Sequence, residues 1–94
     1  MATRRATEIA QRVVHNLSVL SGIPESQITE TDRLAQDLRI SKEGKRALAP
    51  GFEAIARETN PGASITRVEC EKLLTVKAAV ALVTSRATAS PAAA

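Results

Sequence analysis

Apolar residues recur along the first third of the chain at helical intervals. Ile9, Val13, Leu17 and Leu20 are spaced four, four and three apart, and Val14 widens the stripe. That pattern predicts an amphipathic helix, with Arg12 and Asn16 facing elsewhere and Thr7 capping a shorter version of it. Ser21-Gly22 followed by Pro24 supplies the stop, because glycine tolerates the left-handed conformation after a last turn. From Ile23 to about Ile40 the pattern changes to isolated apolar anchors, Ile23, Ile28, Leu34 and Leu38, in a polar stretch. This predicts a long loop pinned to the core, with one short helical turn near Asp32 to Gln36. Loops of this length without structure of their own are uncommon and often functional.

A second helical segment is expected after Ser41, a preferred N-cap residue. Pro50-Gly51 interrupts it, since proline lacks a donor and clashes with the preceding turn. A break is expected near Ala49-Pro50, with Pro50 opening a second piece whose apolar face carries Phe52, Ile55 and Ala56. Asn60-Pro61-Gly62 ends that piece. Thr66 and Glu69 stand at capping-box spacing before a short helix with Val68 and Leu73 facing inward. Thr75 caps a final helix carrying Val76, Ala79, Val80 and Val83. The expected organisation is one helical domain over residues 1–85 and a disordered tail over 86–94.

Composition narrows the class. The 94 residues suffice for one domain. Phe52 is the only aromatic residue, so the core must be built from aliphatic side chains. The formal charge of +3 and a pI near 9.6 permit weak attraction to anions. No long basic run or aromatic platform accompanies them, so nucleic-acid association should be weak, salt-sensitive and without sequence preference. Cys70 and His15 are each the only residue of their kind. One thiol makes neither an internal disulfide nor a cysteine-rich zinc site, and no metal site is expected. Cys70 reads as a buried small side chain, His15 as a surface residue and Phe52 as core. No cluster of acid, base and nucleophile can be assembled, so an enzyme is not expected. No apolar run reaches spanning length and no signal-peptide pattern opens the chain, which points to a cytoplasmic monomer.

The order of helix, long anchored loop, middle helix, short helix and final helix resembles an acyl carrier protein. Two stretches carry the resemblance. Gly22-Ile23-Pro24, then Ile28, Asp32, Leu34 and Asp37-Leu38, is similar to the family's first loop. The run ITRVECEKLLTVKAAVALV, Ile65 to Val83, is similar to its third and fourth helices through Glu69, Glu71, Lys72, Leu73, Thr75, Val76, Ala78 and Ala79. The resemblance implies an all-α bundle of three main helices plus one short helix, with a long first loop. It implies a 4′-phosphopantetheine arm attached to a serine at the start of the second helix. That arm would carry an acyl or aminoacyl thioester in fatty-acid, polyketide or related biosynthesis. The implied partners are a phosphopantetheinyl transferase and acyl-handling enzymes.

The sequence departs from the family at that serine. The family pattern after Asp-Leu is Gly, one residue, then Asp-Ser-Leu, whereas this chain reads Asp37-Leu38-Arg39-Ile40-Ser41-Lys42. Strict register places Lys42 at the serine position, and Ser41 matches only after a one-residue deletion. The interval from Ser41 to Ile65 is 24 positions, longer than the family's usual one, and Pro50-Gly51 lies inside it. Family members present an acidic second helix, whereas Lys42, Lys45 and Arg46 against Glu43 leave a local balance of +2. Ser41 is the candidate attachment residue, with a plain N-cap as the alternative. Lys42, Lys45 and Arg46 are candidate partner-binding residues, with a solvated face as the alternative. Three functions remain: a divergent carrier, a docking or regulatory module with the same fold, no prosthetic group and an unspecified protein partner, and a weak basic nucleic-acid binder.

Overall fold

The computed structural model describes the backbone of residues 2–93 and the side chains of residues 7–87. The chain forms α1 (Ala2–Ser21), a 3₁₀ turn (Glu25–Gln27), α2 (Lys42–Ala47), α3 (Ala49–Arg57), α4 (Arg67–Glu71) and α5 (Val76–Ala93). Among the described residues there is no strand, only an isolated bridge between Arg33 and Thr75. The protein is an all-α bundle with a long first loop.

The stripe on α1 is core. Ile9, Val13 and Leu17 are buried against α3 and α5. Leu20 is a correction to the expected stripe: it is 41% exposed and lines an open depression beside Leu48 instead of entering the core. Thr7 is also corrected, from cap to interior residue, since α1 already begins at Ala2. Gly22 takes φ 79 and its amide donates to the Ser18 carbonyl at 2.8 Å, a left-handed C-terminal stop.

The loop is anchored as expected through buried Ile28, Leu34 and Leu38; Ile23 is only partly buried against the core, and Ile40, not among the expected anchors, is buried as well. The helical turn occurs one step later than expected, with the Asp37 and Leu38 amides both donating to the Arg33 carbonyl. The loop also closes the start of α5. The Val76 amide donates to the Asp32 carbonyl at 3.0 Å and the Lys77 amide to the Glu30 carbonyl at 2.9 Å. A helix start leaves its first amides without intrahelical acceptors, and here the loop backbone supplies them. Thr75 Oγ1 completes the cap by accepting from the Ala78 amide at 3.1 Å.

The middle of the chain breaks where proline predicts. α2 ends at Ala47, Leu48 joins the pieces, and Pro50 occupies the first turn of α3. Phe52, Ile55 and Ala56 are buried on one face of α3. Gly51 lets α3 approach α1 closely, since a Cβ there would stand 2.9 Å from Asn16 Nδ2. Asn60 is buried at the turn after α3, where its Nδ2 donates to the Arg86 carbonyl at 2.7 Å.

The capping box of Thr66 and Glu69 forms at the start of α4. Leu73 and Cys70 face inward, but Val68 does not; it is 54% exposed, which corrects its assignment to the core. The expected domain end at residue 85 falls inside α5. Arg86 pairs with Glu69 and Ala87 is buried, so these two belong to the bundle and not to a tail. The remaining expected tail, 88–94, lies outside the residues whose side chains are described.

Candidate functional site

The chain enters the site through a backbone reversal. Arg39 has φ 57 and is the one non-glycine residue with a positive φ among the described residues. The reversal turns Ile40 into the core, where its amide donates to the Leu34 carbonyl at 2.8 Å. It leaves Ser41 exposed at the start of α2. Ser41 is the N-cap: its backbone is extended and its Oγ accepts from the Gly44 amide at 3.1 Å.

Ser41 borders an open cleft of about 550 Å³, also lined by Arg39, Lys42, Lys45 and Glu71. The three residues expected to meet a partner divide there. Lys42 Nζ lies 3.5 Å from Glu71 Oε2, and Arg46 Nε donates to Glu71 Oε1 at 2.6 Å. These pairs tie α2 to α4. The Arg46 hydrogen bond is the main cause that holds the Glu71 carboxyl below its ordinary range, and Lys42 adds to it. Lys45 is different, because the residue is only 8% exposed and its side chain has no hydrogen-bond or ion-pair partner among the described residues. Its stem is buried and its ammonium surfaces in the cleft.

Sequence reasoning missed two members of this site. Arg39 was legible only as the residue following Asp37-Leu38, where the resembled pattern has glycine. Its positive φ is a conformation that glycine adopts without strain. Glu71 was legible as part of the similarity in α4 but not as the acid that meets α2.

The other candidates lie apart from the cleft. His15 is exposed and its Nδ1 is 2.8 Å from Glu25 Oε2. Cys70 is fully buried, and burial pushes its thiol up to about 11, with the Glu69 charge adding to the shift. A thiol so placed is a poor nucleophile. No group of three or more His, Cys, Asp or Glu side chains gathers among the described residues, and no described helix is long and apolar enough to cross a membrane.

A second depression, of about 350 Å³, lies between α1 and the α2–α3 joint, where Val19, Leu20 and Leu48 line it. Leu20 Cδ2 also lies 3.6 Å from where a Gly44 Cβ would stand, so this depression adjoins α2. Comparison with protein-family models, curated proteins and solved structures finds no match to this chain.

Proposed function

We propose that the protein is a divergent carrier that holds an acyl or aminoacyl thioester on a phosphopantetheine arm attached at Ser41. One observation carries the reading: an exposed serine hydroxyl stands at the start of α2, beside a cleft lined by three cations. The residues fit such a group. The phosphodiester would lie against Arg39, Lys42 and Lys45, whose charges favour an anion there. The arm, when bound, supplies the terminal thiol that forms the thioester. The chain's own residues position and screen the attachment point. The apolar depression beside Leu20 and Leu48 is available to aliphatic cargo.

The test is intact mass after incubation with a broad phosphopantetheinyl transferase and coenzyme A. Modification should be slow, because Ser41 lacks a preceding Asp and is followed by Lys42, so an enzyme adapted to acidic helices meets like charge. Ser41→Ala should abolish the mass gain and cost roughly 0.5–2 kcal/mol of stability as a lost cap. A gain that survives in Ser41→Ala would refute the attachment site. A docking module without the arm is the second reading, favoured by Val19 at 71% and Leu20 at 41% exposure beside an apolar depression. It replaces the first if neither a transferase nor the natural host modifies the wild type.

A further inference from the structure

We propose that the cleft beside Ser41 is a reversible binding site for a phosphate monoester, with Lys45 as its central ligand and Arg39 and Lys42 flanking it. This goes beyond the carrier reading and does not depend on modification of Ser41.

Lys45 is the first observation. Lysine is rarely buried without a partner. Here the residue is more than nine-tenths buried, and its ammonium opens into the cleft with neither a carboxylate nor a carbonyl bonded to it among the described residues. A buried stem has less conformational freedom to lose on binding an anion than a solvated one.

Arg39 is the second. It also makes no hydrogen bond or ion pair among the described residues, although it lines the same cleft. Its φ of 57 is unfavourable for a side-chain-bearing residue, and glycine would take it freely. Non-glycine residues held in this region cluster at functional sites.

The charge count selects the ligand class. Arg39, Lys42 and Lys45 supply three positive charges, and Glu71 supplies the one carboxylate lining the cleft, for a net +2. Arg46 already engages Glu71 at 2.6 Å from outside the cleft lining, so Lys42 is left only the weaker 3.5 Å contact. A phosphate monoester carries about −1.5 to −2 near neutral pH, which matches this balance. A carboxylate brings a single charge and leaves part of this balance unmet. Ser41 Oγ accepts from the Gly44 amide, so its own O–H remains to donate to a phosphate oxygen.

The test is an amide chemical-shift titration of the full chain with glycerol 3-phosphate, matched at each point with sodium chloride of equal ionic strength. Saturable shifts at Ser41, Lys42 and Gly44 beyond the chloride control are expected. Lys45→Met keeps the stem and removes the charge, and should weaken binding by about tenfold or more. Arg39→Gly should weaken it about tenfold while raising the melting temperature, a pair of opposite effects that a merely structural role would not produce. Ser41→Ala should change affinity by only about threefold or less, so loss of the carrier reading leaves this result standing. A parallel arm with phosphatidic acid vesicles against phosphatidylcholine vesicles distinguishes a lipid headgroup from a soluble ester as the source of the same phosphate. Binding in either arm that Lys45→Met and Arg39→Gly weaken supports the site. Shifts that follow ionic strength alone, or binding that neither variant weakens, overturn it; Arg39→Gly decides the matter if Lys45→Met does not fold.

Discussion

At the scale of single residues, Arg39 has the clearest energetic signature. Its backbone occupies the left-handed region, which costs an L residue roughly 1–2 kcal/mol, against a glycine's larger entropy loss on folding. Arg39→Gly should therefore stabilise the fold by about 1 kcal/mol, as urea denaturation would measure. An unchanged or lower midpoint would mean that the reversal is not a source of strain. The residue is exposed, so no packing loss confuses the comparison. Ser41, two positions on, was legible as an N-cap and is one. Arg39 was not legible, because nothing in the pattern of apolar and polar residues reports the sign of φ.

At the scale of elements, the helix starts are secured by different means. α2 uses a serine, α4 a capping box, and α5 a threonine together with carbonyls from the distant loop. The α4 cap is also coupled to α5. Glu69 Oε1 accepts from the Thr66 amide at 3.0 Å and from Arg86 at 3.0 Å, and Arg86 donates to the Ser64 carbonyl at 2.9 Å. The Arg86 hydrogen bond, with help from the Thr66 amide, lowers the Glu69 carboxyl from 4.5 to about 2. Between those values the folded chain keeps Glu69 charged while the unfolded chain takes up a proton. The unfolded state then binds more protons, so stability rises with pH across this window. The contribution is complete above about pH 4.5 and is lost as pH falls through about 2. Thermal melts should show this decline, and Arg86→Met should flatten it. Glu71, lowered mainly by Arg46, acts in the same direction and will leave part of the slope. A slope identical in Arg86→Met and wild type would show that the Glu69 link contributes nothing to acid stability.

At the scale of the whole molecule, one core joins α1, α3, α4 and α5 with the first loop. Leu17, Leu34, Phe52, Val76 and Val83 are fully or almost fully buried in a single cluster, and they come from α1, the loop, α3 and α5. Truncation in such a core costs the lost transfer energy plus a cavity, so Leu17→Ala should lose roughly 2–5 kcal/mol. That is a large share of the stability expected of a small domain, about 5–15 kcal/mol. Helix signals from α1 and α5 should then melt together at a lower temperature. An unchanged midpoint would show that the α1 stripe does not hold the bundle.

Helix existence, the break at Pro50, the caps at Ser41, Thr66 and Thr75, and the loop anchors were determined by the sequence itself. Each rests on local chemistry: periodic apolar spacing, a missing amide proton, or a side-chain oxygen within three residues of the amides it meets. The outer limits of the helices were less legible, since Leu20 and Val68 fit an apolar period and yet face solvent. Which turns of a helix meet a neighbour depends on where the neighbour ends. The candidate cleft was decided by tertiary structure alone. Ser41, Lys42 and Lys45 are adjacent in sequence, but Glu71 reaches Lys42 and Arg46 only because α4 packs on α2. In the assembled bundle a basic stretch, legible as a solvated face, borders a cleft where Lys45 is largely buried and both Lys45 and Arg39 are without an ion-pair partner among the described residues. Long-range burial and pairing of charge are properties of the assembled bundle, and no local pattern in the chain encodes them by itself.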